Sequence, residues 1–230
     1  MGIHFYRNAV HGGDWIVQER LYNDQWVQSM LPTGAPLSTF RVITISRFAA
    51  KAPWKTDDSS GASSDDIETM SCVFRAGRAN APTDHGAILF DVDIATGKVK
   101  GGTTNAHWYQ LGGHRAVQCE WRSFHNEYQC HPDDDSKAVT GQTVPDIARM
   151  LKLVEESHLK LCPKVPICGW DVALTTNEQV PVCLLEVNLS CNFFRGTFDL
   201  PTYLDFVDDN FSVIQSQRLE RAENAVVLSK

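Results

Sequence analysis

The chain has 230 residues, enough for one domain or one large domain with an appendage, and 43% are hydrophobic, which excludes global disorder. A net charge of −7 with no Lys/Arg cluster argues against DNA or RNA as a partner, although a single nucleotide needs only a local site. No apolar run reaches the ~18 residues of a membrane span, and the start, MGIHFYRNAVHGGDW, lacks the charged-then-apolar pattern of a signal peptide.

Trp15–Leu21 (WIVQERL) reads as a short strand, and Ser38–Phe48 (STFRVITISRF), rich in β-branched residues, as a longer one. The polar, glycine-containing stretch between Ala52 and Glu68 reads as a surface loop. Met70–Arg75 and Ala87–Asp93 are the next strands, the second followed by a turn at Ala95–Lys98. Residues 101–142 mix Gly, His and aromatics without period and predict loops and short strands. Within Thr143–Leu161, residues Ile147, Met150, Leu151, Val154 and Leu161 fall at helical spacing. Thr143 is suited to cap that helix, Pro145 to its first turn, and Pro163 to its end. Ile167–Cys191 reads as two strands around a polar turn. Asp199 and Pro201 then open a helix to about Ile214, and the tail reads as a frayed helix. Strands in hairpins, interspersed with helices, predict an α+β fold with a mainly antiparallel sheet flanked by helices.

The seven cysteines, 72, 119, 130, 162, 168, 183 and 191, contain no CxxC pair. They read as reduced, buried thiols of a cytoplasmic protein, without the spacing of a structural zinc site. CHPDDD (130–135) offers metal-ligand residue types, as a solvated loop also does.

The hairpin carries an unexpected set of side chains. Alternation puts Glu186 and Asn188 on one face, and Gly169, Asp171 and Ala173 on one face of the preceding strand. A turn centred on Asn177 and Glu178 sets Asp171 opposite Leu184, with Glu186 as its diagonal neighbour and Gly169 opposite Glu186. Close carboxylates repel unless a cation sits between them, and hard oxygens with an amide suit Mg²⁺ or Mn²⁺. The other reading of the same residues is a solvated strand face.

With its neighbours, this hairpin extends into a family pattern. GWDVALT followed by LLEVN resembles the metal-binding hairpin of the ATP-grasp superfamily. WIVQERL resembles the hinge strand that meets adenine, and STFRVIT the strand with an Arg near the phosphates. FRAGRANAPTDHGAILFDVDIATGK (74–98), HP at 131–132 and VPDI at 144–147 resemble the sugar-transfer-associated group, also labelled alpha-L-glutamate-ligase-related. The resemblance implies that Asp171, Glu186 and Asn188 hold one or two Mg²⁺ (or Mn²⁺) ions and that Arg41 stabilises charge on the transferred phosphate. It also implies that Gln18, Glu19 and Leu21 line the adenine pocket, and that Arg75 and Arg78 grip an anionic substrate or phosphate. Surface charge accounts for Arg75 and Arg78 equally well. Gly169 stands where many ATP-grasp ligases carry an Arg, with Arg41 serving instead. Asp84-His85 stands where the subgroup often has Asp-Asn.

The implied organisation is a lead-in at 1–14, a catalytic subdomain at 15–215 and a tail at 216–230. Residues 1–14 are too few for the lid that closes over ATP, so a partner chain or an upstream region would complete it. The implied reaction is ATP- and Mg²⁺-dependent joining of a small-molecule carboxylate to an amine or hydroxyl through an acyl phosphate, linked to sugar or peptide transfer. Two alternatives stand beside it: a truncated, non-catalytic nucleotide-binding or scaffold module, and a metal-binding protein using the His/Cys-rich 107–131 region.

Overall fold

The computed structural model describes residues 18–51, 61–104, 128–189 and 200–228, with side chains in the last helix to position 220. Its centre is a six-stranded antiparallel sheet in the order β4-β3-β2-β1-β7-β8. The strands are β1 (Thr39–Ser46), β2 (Ile67–Ala76), β3 (Ile88–Val92), β4 (Val99–Thr104), β7 (Ile167–Leu174) and β8 (Val182–Asn188). A small hairpin, β5 (Cys130–His131) with β6 (Asp134–Ala138), stands apart from this sheet. Among the described residues four helices accompany them: α1 (Gln25–Met30), α2 (Phe48–Lys51), α3 (Ile147–Leu161) and α4 (Leu200–Leu228). The mainly antiparallel α+β expectation is met.

The two faces of the sheet differ in chemistry. Phe40, Val42, Cys72, Phe74, Phe90, Trp170 and Val172 alternate onto one face, where Met150 and Val154 of α3 and Val27 and Met30 of α1 complete the main core. Phe40 and Phe74 face each other across β1 and β2 with rings 5.0 Å apart, and Trp26 of α1 stacks on Phe40. On the opposite face, Ile43, Ile45 and Met70 form a smaller core with Phe206 of α4.

Several expected boundaries move, each for a local reason. The described part of the first expected strand, from Gln18 to Leu21, is not strand; Trp15–Val17 lies outside the described residues. The chain instead joins the sheet at Asn23, which bridges to Thr175. Asn23 is buried, accepts from the Ser38 N–H and donates to the Pro36 carbonyl, while Asp24 caps α1 through the Val27 N–H. Helix α3 starts at Ile147 rather than near Thr143, because Thr143 is committed to a bridge with Lys98 and Val144 donates to the Gly97 carbonyl. Its buried face is Met150, Val154 and His158, whereas Leu161 at the helix end is 69% exposed. Helix α4 continues past Ile214 to Leu228 without a break at 216. Its expected cap, Asp199, lies outside the described residues, as do the lead-in 1–14, the loop 52–60 and most of 107–131. No described helix is long and apolar enough to cross a membrane.

Candidate functional site

The register of the sheet builds the site. Asp91, Val73, Arg41, Asp171 and Glu186 are successive cross-strand partners on β3, β2, β1, β7 and β8, so they form one row on the face away from the main core. One step along the strands lie Thr39 and its partner Arg75; one step the other way lie Ile43, Gly169 and Asn188. Partners across antiparallel strands share a face. Seven polar side chains are thereby gathered on this patch.

The expected hairpin register is corrected by a bulge. Asp171 pairs directly with Glu186, and Gly169 with Asn188, while Val172 pairs with Leu184. Leu185 is the extra residue on β8, which shifts the partner of Asp171 from Leu184 to Glu186. The acids are therefore directly opposite rather than diagonal, and Gly169 leaves space beside Asn188 rather than Glu186.

Within the row, Arg41 lies between neutral Val73 and Asp171, and Asp171 faces a second acid, Glu186. The Asp171 carboxylate accepts from both sides of the Arg41 fork: Nε donates to Oδ1, and Nη2 to Oδ2 at 3.0 Å. Arg75 donates from Nη1 to Asp171 Oδ2 at 3.1 Å and from Nη2 to Asp84 Oδ1 at 2.9 Å. The Thr39 hydroxyl donates to Asp84 Oδ2 at 2.5 Å. Asp171 is 6% exposed and Arg75 is 8% exposed, so the pairs are largely desolvated. Next to them, Glu186 is exposed, and its Oε1 accepts from the Asn188 amide at 3.0 Å. Asp91, buried on the same face, lies 3.7 Å from the Lys100 ammonium.

The structure brings Arg41, Arg75, Asp171, Glu186 and Asn188 together. Arg78 does not join them: its guanidinium makes a two-point ion pair with Asp133, which also accepts from the Ala79 N–H. That ion pair holds the Asp133 carboxyl down at about 2. Gln18 and Glu19 are exposed and Leu21 is half-buried, in a segment without strand pairing. CHPDDD is a structural turn. His131 is fully buried, with Nε2 donating to the Gly77 carbonyl and Nδ1 accepting from the Asp133 N–H.

Asp84 and Thr39 were not singled out by the sequence pattern as site residues, yet they anchor the far side of Arg75. The available signal was the position of Asp84 just after the FRAGR segment.

The sequence matches the sugar-transfer associated ATP-grasp family over residues 6–195, a span that includes the whole polar row. The chain belongs to this ATP-grasp family. Membership carries ATP-binding and ligase-type, ATP-dependent chemistry, and ATP-grasp domains generally use ATP with Mg²⁺ or Mn²⁺. No curated protein and no solved structure matches the chain.

The donor set at this ATP-grasp site fits a hard divalent cation. Glu186 and Asn188 offer a carboxylate and an amide oxygen at the exposed end of the row, directly beside Asp171. Asp171 Oδ2 already accepts two N–H groups, whereas Oδ1 accepts one, which leaves Oδ1 with capacity for a further contact.

Proposed function

We propose that this chain supplies the metal- and phosphate-binding face of an ATP-dependent ligase that joins a carboxylate to an amine or hydroxyl. The observation that carries this reading is the direct pairing of Asp171 with Glu186, flanked by Asn188 on one side and two guanidinium groups on the other. A Mg²⁺ or Mn²⁺ ion held by Glu186, Asn188 and Asp171 would neutralise phosphate charge and orient the transferred group.

The chain's own residues do the rest. Arg41 in the row and Arg75 one step along the strands present planar forks, the geometry that suits phosphate and acyl-phosphate oxygens. Asp171 and Asp84 hold those forks in place before substrate arrives, so little reorganisation is needed when negative charge develops. In the proposed reaction, a carboxylate oxygen attacks the terminal phosphorus of ATP and expels ADP; the amine or hydroxyl then attacks the acyl carbon, expels phosphate and loses its proton. The substrates are small molecules.

Calorimetric titration of ATP with Mg²⁺, and again with EDTA, tests the metal patch. Binding is expected only with the cation, and Glu186→Gln is expected to abolish it while changing stability by no more than about 0.5 kcal/mol, as for other exposed positions. Equal binding in EDTA, or none at millimolar ATP, would contradict the reading. Phosphate release stimulated by paired carboxylate and amine substrates is the expected sign of ligation. Metal-dependent binding without any such release favours the non-catalytic module instead.

A further inference from the structure

Away from the polar row, α3 and the start of β7 bring three soft ligands together. His158 lies in the last turn of α3, Cys162 is the residue that caps that helix and donates its N–H to the His158 carbonyl, and Cys168 is the second residue of β7. The chain reverses between them through a turn in which the Val165 N–H donates to the Cys162 carbonyl. One ligand atom from each of the three residues lies within 4.8 Å of the others. Cys162 Sγ is 3.5 Å from Cys168 Sγ, and Cys168 Sγ is 3.6 Å from His158 Nε2.

We propose that His158, Cys162 and Cys168 form a binding site for a thiophilic d¹⁰ cation, Zn²⁺, that staples the end of α3 to β7. Tetrahedral zinc with Zn–S of about 2.3 Å and Zn–N of about 2.0–2.1 Å requires S···S near ~3.8 Å and S···N near ~3.6 Å. The two measured edges match these values to within a few tenths of an ångström. Two thiolates and an imidazole exclude Mg²⁺ as the preferred ion and select zinc-like metals.

The surroundings supply an outer shell. His158 is fully buried, and its Nδ1 lies 2.8 Å from the Thr44 hydroxyl, which also accepts from the Trp170 indole N–H. Without metal, Nε2 donates to the Val165 carbonyl at 2.9 Å. On metal binding, the imidazole proton moves to Nδ1 and is donated to Thr44, which frees Nε2 as a ligand and fixes the ring. The Val165 carbonyl, released from that bond, is available for the fourth position. The two thiols lose their protons to solvent, and the metal with two thiolates and a neutral imidazole carries no net charge, which suits a buried site. Cys162 is half-buried, giving the ion a route in at the helix end.

The test uses the full chain, reduced and stripped of metal, titrated with Co²⁺ and then Zn²⁺. Wild type is expected to develop tetrahedral cobalt bands with thiolate charge transfer, and about one equivalent of Zn²⁺ is expected to abolish them. A large excess of Mg²⁺ should leave them unchanged. Cys162→Ser is expected to weaken Zn²⁺ binding by more than the about 10–100-fold that loss of an outer-shell partner costs. Cys183→Ser, on β8, is expected to bind as wild type. Absence of the tetrahedral spectrum in reduced wild type overturns the proposal without any variant. Equal effects of the Cys162 and Cys183 substitutions, or a Cys162–Cys168 disulfide that persists under reductant in place of metal, would also overturn it.

Discussion

Arg41 sits in the middle of a central strand, where its guanidinium is held by the carboxylate directly across from it. Removing one partner of a buried pair leaves an uncompensated charge, at a cost of about 3–5 kcal/mol, whereas an exposed pair is worth about 0–1 kcal/mol. Arg41→Ala is therefore expected to lower stability by about 3 kcal/mol, because Arg75 still partners Asp171. Arg41→Met combined with Asp171→Leu is not expected to recover that loss, because it takes from buried Arg75 the acceptor of its Nη1. Urea denaturation of the two variants decides the point. A loss below about 1 kcal/mol for Arg41→Ala would show the pair to be solvated. The ion pair gives Arg41 a place in the fold beside the phosphate role proposed for it.

Among the elements, the hairpin of β7 and β8 was the most legible in sequence. A polar turn marked the connection of its two strands, alternation put Glu186 with Asn188 and Asp171 with Gly169, and a β-branched run marked β1 beside them. The register was not legible, because Leu185 has no local feature that announces a bulge; only the pairing of the flanking residues reveals it. Likewise the start of α3 was lost to a tertiary effect, the capture of residues 142–144 by the turn at 97–99. The His158, Cys162 and Cys168 cluster escaped because its spacing spans a helix end, a turn and a strand, so no short motif marks it. Strand β4 was hidden by its glycines, and these have a packing reason: a Cβ on Gly102 would lie 2.5 Å from the Phe90 ring across the β3–β4 pair. Gly102→Ala is expected to destabilise by about 1–3 kcal/mol through this overpacking. Thermal denaturation against wild type measures it; an unchanged melting temperature would mean that Phe90 swings away without loss.

For the whole molecule, acid sensitivity should begin at a buried histidine. Burial pushes the His131 pKa down, aided by the Arg78 charge and opposed by Asp133. Both ring nitrogens are already used in the neutral form, so a second ring proton would confront the Asp133 N–H. A histidine whose folded pKa is depressed contributes stability that is present above its unfolded value of about 6.5 and is lost as pH falls below it. Asp133 adds a second loss: its carboxyl is depressed to about 2, so its contribution fades as pH falls from about 3.9 toward that value. Denaturation between pH 7 and 5 is expected to show a declining stability whose slope is reduced in His131→Gln. An unchanged slope in that variant would assign the acid sensitivity elsewhere.

The row across β1, β7 and β8 is proposed to bind a divalent cation together with nucleotide. Paramagnetic broadening of backbone amide signals by Mn²⁺ in the presence of ATP tests it most directly, because it locates the ion. Signals of Gly169, Asp171, Glu186 and Asn188 are expected to broaden first, and Glu186→Gln is expected to abolish the effect. Broadening that begins instead at Asp133–Asp135, or that is uniform over the acidic surface and insensitive to Glu186→Gln, would contradict it.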